Sequence, residues 1–166
     1  LPEKREARHE SDRIPIGDIL RRREVSALFG ACFFMAAAHG ALYVFYSIFL
    51  ADRGYSTTMI GLLWTLGVVA EIAVFLFLPR LFRRFSLRAI LLASFACAVA
   101  RFLTIGWGVE WLALVLFAQL LHAATFGAYH AAAVAAVNRW FAGRHQARGQ
   151  ALYGSLSFGA GGMLGA

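Results

Sequence analysis

Charge is scarce in this sequence: Asp, Glu, Lys and Arg make up 15% of it, while 60% of the residues are hydrophobic. Water-soluble domains carry about 25% charged and about 45–50% apolar residues, so the shortage excludes an ordinary soluble fold. Acids are scarcer still, with 9 Asp and Glu against 16 Lys and Arg and a net charge of +7. That excess does not read as nucleic-acid binding, because the arginines fall mostly between apolar runs, where membrane proteins place them. Cysteine is almost missing. Cys32 and Cys97 both lie inside apolar runs, and no C-x-x-C pair occurs, which excludes a disulfide framework and leaves two small buried hydrophobes. Soluble-enzyme motifs are absent as well: the sequence has no G-x-x-x-x-G-K-[ST] and no H-E-x-x-H. No signal peptide opens the chain, which starts at Leu1 and ends inside the apolar stretch ALYGSLSFGAGGMLGA. A piece of a longer membrane protein is the expectation.

What the 166 residues do contain is apolar runs, at about 25–51, 59–78, 87–107, 111–137 and from 150 to 166. A bilayer-crossing helix takes about 20 residues, so the expected fold is all-α and transmembrane. Residues 1–24 would form a cytoplasmic segment and 25–166 a transmembrane region. Within that segment IPIGDILRRREV predicts a short interfacial turn or helix against anionic headgroups. The links DRGYST, PRLFRRFS, GVE and NRWFAGRHQARG are short, so neighbouring spans should be antiparallel. Alternate sides then collect 14 Lys and Arg against 1. By the positive-inside rule the N-terminal segment and the second and fourth links are cytoplasmic. Trp107 and Trp111 flank an outer link, where aromatic belts form, and Tyr46 reads as another belt residue. Gly161 and Gly165 have the GxxxG spacing of packed membrane helices.

Ionisable groups within a membrane are costly and mark function. Here they are His39 in the first run, Glu71 in the second, Arg101 in the third, and His122 and His130 in the fourth, with Gln119 as a polar neighbour. At α-helical spacing they fall into stripes: His39 with Tyr43 and Tyr46; Trp64, Gly67 and Glu71; Ser94, Cys97, Arg101 and Thr104; Gln119, His122, Phe126 and His130. Four polar stripes on apolar helices predict a shared polar seam. At about 1.5 Å of rise per residue, His39, Glu71 and His122 come to roughly 17–20 Å from the outer ends, near the midplane, and Arg101 to about 9–10 Å. Glu71 is the sharpest candidate, because burial favours a neutral carboxyl while a nearby cation favours the anion. Two blander roles stand beside this one: neutral interhelical hydrogen bonding by His39 and His130, and a structural ion pair between Glu71 and Arg101.

The run QLLHAATFGAYHAAAVAAV followed by ARGQALYGSLSFGAGGMLGA resembles the tenth and eleventh helices of the phenylpropionate-permease family. That family belongs to the major facilitator superfamily, near the lactose-permease-like symporters. GYSTTMIGLLWTLGVVAEI resembles its outer seventh loop and eighth helix, with Glu71 in the family's Ala-Glu pair. The resemblance covers about residues 16–166. It implies a twelve-helix, two-half transporter working by alternating access, of which this chain would be the central loop and helices seven to eleven. It also implies that Glu71, Arg101 and His122 couple transport to protons. A second acid found on helix ten of lactose permease has no counterpart here, and PRLFRRFSLRAI keeps of the superfamily's cytoplasmic motif only the basic Arg83, Arg84 and Arg88.

The expectation is therefore a proton-coupled symporter in the inner membrane for a small organic substrate such as an aromatic carboxylate. His39, Tyr43, Trp64, Gln119, Phe126 and His130 would line the substrate path. No cofactor is expected beyond the coupling proton, and the partners are the substrate, the bilayer and an N-terminal transmembrane half. Sugar or nucleoside symport is the near alternative, and a non-transporting membrane scaffold or sensor the distant one. An enzyme is not expected, because no nucleophile-base spacing or metal set is present.

Overall fold

The computed structural model describes residues 15–166, and the charged run before Pro15 lies outside the described residues. Among them no strand occurs. The chain runs through α1 (Ile16–Leu20), α2 (Arg23–Asp52), α3 (Thr57–Arg84), α4 (Leu87–Gly108) and α5 (Leu112–Leu120). A π-helical segment, Ala123–Ala128, then leads into α6 (Tyr129–Trp140). After a 3-10 turn (Gly143–His145) come α7 (Gln146–Gly154), a second π-helical segment (Ser155–Gly161) and α8 (Gly162–Gly165).

Four stretches are long and apolar enough to cross a bilayer: Arg23–Asp52, Thr57–Arg84, Leu87–Gly108 and Leu112–Trp140. The fold is all-α and multi-pass. The helices outrun the apolar runs at several ends. α3 continues past Pro79 through Arg80, Arg83 and Arg84, and α7 starts at Gln146. Hydropathy marks the part that must leave water, whereas the backbone ladder continues for as long as its bonds can be made.

Side-chain caps and turns fix where the helices stop. Ser56 and Ser86 accept from the backbone N–H of Met59 and Ala89 at 3.3 and 3.2 Å, satisfying first-turn donors of α3 and α4. At the end of α2, the Tyr55 N–H bonds to the Leu50 carbonyl and the Gly54 N–H to that of Ala51. This is a Schellman closure, and it needs the positive φ of 85° that Gly54 supplies. Ser26 closes the elbow between α1 and α2 by donating to the carbonyls of Leu20 and Arg22.

Among the described residues the chain divides into two compact units, residues up to 44 with 133–166, and residues 45–132. In the first, α2 meets the last helical stretch along small residues. A Cβ on Gly161 would lie 2.5 Å from the Phe33 carbonyl oxygen, one on Gly40 would lie 2.5 Å from that of Gly162, and Gly165 abuts the Ala37 carbonyl. The expected GxxxG pair therefore sits at a backbone-to-backbone approach, which no larger residue permits. Phe141, fully buried, stands edge-on to Phe29 at 6.1 Å and fills the space over Gly149. Gln146 and Gln150 both donate to the Asn138 side chain.

In the second unit α3 presents Ile60, Leu63 and Gly67 to the protein and leaves Leu62, Val69, Ile72 and Leu76 exposed, as a lipid-facing stripe would be. The turns after α2 and α4 meet. The Tyr55 hydroxyl donates to the Val109 carbonyl at 2.6 Å, and Arg53 lies 3.9 Å from Glu110. Trp107 and Trp111 near that end are exposed.

Candidate substrate and proton site

The polar side chains of the 45–132 unit converge on the helix that runs from 112 to 140. Arg101, on α4, is fully buried. Its Nε donates to the Ala118 carbonyl at 3.0 Å, its Nη2 to Gln119 Oε1 at 3.1 Å, and its Nη1 to Thr125 Oγ1 at 3.3 Å. Thr125 in turn donates to the His122 carbonyl at 3.3 Å. These contacts fall where α5 gives way to the π-helical segment. The i→i+5 pattern disturbs the regular carbonyl ladder there, and side-chain donors gather at the break.

Glu71, on α3, lies with its carboxylate 3.7 Å from His122 Nε2. Both side chains are largely buried, 16% and 6% exposed. The approach is possible because two glycines remove bulk on either side. A Cβ on Gly127 would come 3.0 Å from Glu71 Cγ, and one on Gly67 would come 3.4 Å from His122 Cδ2. The acid is therefore paired with His122. Arg101 meanwhile directs Nε, Nη1 and Nη2 to the neighbouring turns of the 112–140 helix.

His122, Phe126 and His130 form a stack. Ring centroids are 5.4 and 6.3 Å apart, with interplanar angles of 16° at both steps. In a regular α-helix, residues four apart drift around the axis by about 40° per step. A π turn takes more residues, so positions 122, 126 and 130 fall closer to one line. The sequence reading placed these residues on one face but assumed α-helical geometry throughout; the π segment is what aligns the rings.

Trp64 donates through Nε1 to Ser47 Oγ at 3.0 Å and takes the edge of the Tyr46 ring at 5.3 Å. Tyr46 is 2% exposed, so it is not the belt residue that the sequence predicted. Its face turns into the protein because Trp64 packs on it. Gln119 is buried. The remaining candidates, His39 and Tyr43, belong to the other unit. There His39 Nδ1 bonds to the Met35 carbonyl at 2.9 Å, the two rings are 6.1 Å apart, and Tyr43 is exposed. Sequence reasoning missed Thr125 and Ser47, and set Tyr46 aside as a belt residue although it fell in the first polar stripe. A lone Thr among alanines, or a Tyr near a span end, carries no signal until helices meet. Among the described residues no group of three or more His, Cys, Asp or Glu could hold a metal ion.

Residues 2–166 match the model of the MFS_1 like family. The chain is 39% identical over 135 residues to a protein of Escherichia coli (strain K12) called "Probable 3-phenylpropionic acid transporter", the match covering 75% of this chain and 32% of that protein. The chain thus spans about a third of the length of that relative. No solved structure matches it.

Proposed function

The chain belongs to the MFS_1 like family, and we propose on that basis that it is part of a secondary active transporter that moves a small aromatic carboxylate together with a proton. The relative's printed name supplies the substrate class. The observation that carries the reading is the pairing of Glu71 with His122 in a largely buried setting, one turn from the Arg101–Gln119–Thr125 cluster. An acid and an imidazole this near each other can share one proton once they close to hydrogen-bond distance. Arg101 stays cationic and offers planar paired donors suited to a carboxylate. Trp64, Phe126 and His130 supply apolar and aromatic surface for the substrate's ring.

Coupling follows if substrate and proton share this cluster. A conformation in which Glu71 and His122 are pressed together favours one protonation state, and one in which they part favours another. The differential affinity of the two conformations is what converts a proton gradient into substrate accumulation. The Lys and Arg distribution supports an orientation with the 53–56 and 109–111 turns outside and the 85–86 and 141–145 turns in the cytoplasm of an inner-membrane protein. On this reading the chain is not an enzyme, takes no cofactor, and works with an N-terminal transmembrane half.

The test is uptake of labelled aromatic acids, sugars and nucleosides by the full-length protein in vesicles, with and without an imposed pH gradient. Gradient-stimulated, saturable uptake of an aromatic carboxylate is expected. Stimulated uptake of a sugar or nucleoside instead would overturn the substrate class, and no saturable uptake of any of them would favour a scaffold or sensor.

A further inference from the structure

Two deeply buried hydrogen-bond donors in the 45–132 unit, one of them beside Arg101, are not used by the fold. Tyr46 and Gln119 are 2% and 1% exposed, yet neither the Tyr46 hydroxyl nor Gln119 Nε2 has a hydrogen-bond partner among the described residues. Buried donors are almost always satisfied, and leaving one unmade is costly. Two such groups in one cluster point to a ligand.

Their placement is set by neighbours. A guanidinium has no acceptor, so the Gln119 oxygen must face Arg101, as it does at 3.1 Å, and the NH2 end is turned away from it. The Tyr46 ring is held against Trp64, which Ser47 anchors. Trp64 and Gly67 lie one turn apart on α3. A Cβ on Gly67 would come 3.7 Å from Gln119 Oε1. The Tyr46 ring and the Gln119 amide therefore pack against one strip of α3, and Gln119 joins that strip to the guanidinium, within one compact unit.

We propose that the Tyr46 hydroxyl and Gln119 Nε2, acting with Arg101, clamp the carboxylate of the transported substrate. This rests on the transport reading above and adds to it an anion subsite distinct from the Glu71–His122 proton pair. The ligand class follows from the inventory of atoms. Gln119 Nε2 and the Arg101 nitrogens can only donate, and a phenol donates well. An ionised carboxylate offers only acceptors and accepts several donors at once, whereas a sugar hydroxyl needs an acceptor as well as a donor. The occupant is a monocarboxylate on an apolar body, bound as the anion.

The test uses purified full-length protein in lipid nanodiscs and two probes, 3-phenylpropionate and its neutral analogue 3-phenylpropanol, with affinities read by calorimetry. Tyr46→Phe deletes one donor and keeps the ring on Trp64. Gln119→Glu keeps an oxygen facing Arg101, and so keeps that contact, but puts an anionic oxygen where the NH2 was. Tyr46→Phe should bind 3-phenylpropionate roughly tenfold more weakly, and Gln119→Glu roughly a hundredfold more weakly. Binding of 3-phenylpropanol should change less than about threefold in both, since its uncharged hydroxyl needs no second donor and is not repelled by a carboxylate at position 119. Wild-type affinity for 3-phenylpropionate in both variants overturns the clamp, as does equal loss of both probes. A wild type that prefers 3-phenylpropanol, or binds neither probe, overturns it too. If the wild type binds 3-phenylpropionate and the variants lose it, the clamp stands even where vesicle uptake shows no proton coupling; that result would reject the coupling reading alone.

Discussion

Glu71→Gln separates coupling from scaffolding. The substitution keeps the side chain's length and stem, so the close packing of Gly127 on Glu71 Cγ is undisturbed. The amide keeps its place beside His122, whose Nε2 lies 3.7 Å from the Glu71 carboxylate, beyond hydrogen-bond range. Because the substitution keeps the packing and breaks no hydrogen bond to His122, stability should fall by no more than about 1 kcal/mol if the pair serves coupling. The functional effect is far larger. With one proton per substrate, each pH unit of gradient is worth about 1.36 kcal/mol, a tenfold accumulation. A two-unit gradient thus drives at most about a hundredfold accumulation, and the variant should show almost none. Proteoliposomes holding the full-length protein give both readouts: initial influx under an acid-outside gradient, corrected for protein-free vesicles because the neutral acid crosses lipid unaided, and substrate exchange without a gradient. Exchange should persist within about threefold, since binding does not require the acid to titrate. Normal gradient-driven accumulation by well-folded Glu71→Gln protein would refute the coupling role. If the pair were purely structural, the variant would instead unfold readily, by about 3–5 kcal/mol, as happens when one buried partner is stranded, and His122→Gln would restore it.

Other outcomes follow from the packing and the charge distribution. Gly161→Ala should lower stability by about 1–3 kcal/mol, because its Cβ would meet the Phe33 carbonyl at 2.5 Å, whereas Gly30→Ala, with nothing within 4 Å, should be neutral or stabilising; thermal unfolding in detergent compares the two. Phe141→Ala should cost about 3–5 kcal/mol in the same assay, since Phe141 is fully buried between Phe29 and Gly149. Single cysteines at Asp52 or Glu110 should react with an impermeant thiol reagent in intact cells, and ones at Arg84 or Arg144 should not; the reverse pattern would invert the topology.

The sequence by itself determined the class of the fold, because leaving water is a matter of composition. A run of 20 apolar residues must satisfy its backbone internally, so helices between arginine-bearing turns are the permitted answer. It also picked out Glu71, Arg101, Gln119 and His122, because an ionisable or polar side chain in such a run stands out wherever the helix points. Gly161 and Gly165 were legible for a similar reason, as their spacing marks a close approach even when the partner is unknown. Only the tertiary structure decided who pairs with whom. Glu71 meets His122 because Gly67 and Gly127 let α3 and the 112–140 helix close around that pair, while Arg101 bonds along the break at the π segment. The π segment itself escaped a reading at fixed helical period, and it sets the line of the His122, Phe126 and His130 rings. Tyr46 changed from belt to interior for the same reason: periodicity gives the direction of a side chain around its own helix, and only the neighbouring helix, here with Trp64 on it, decides whether that direction is lipid or protein.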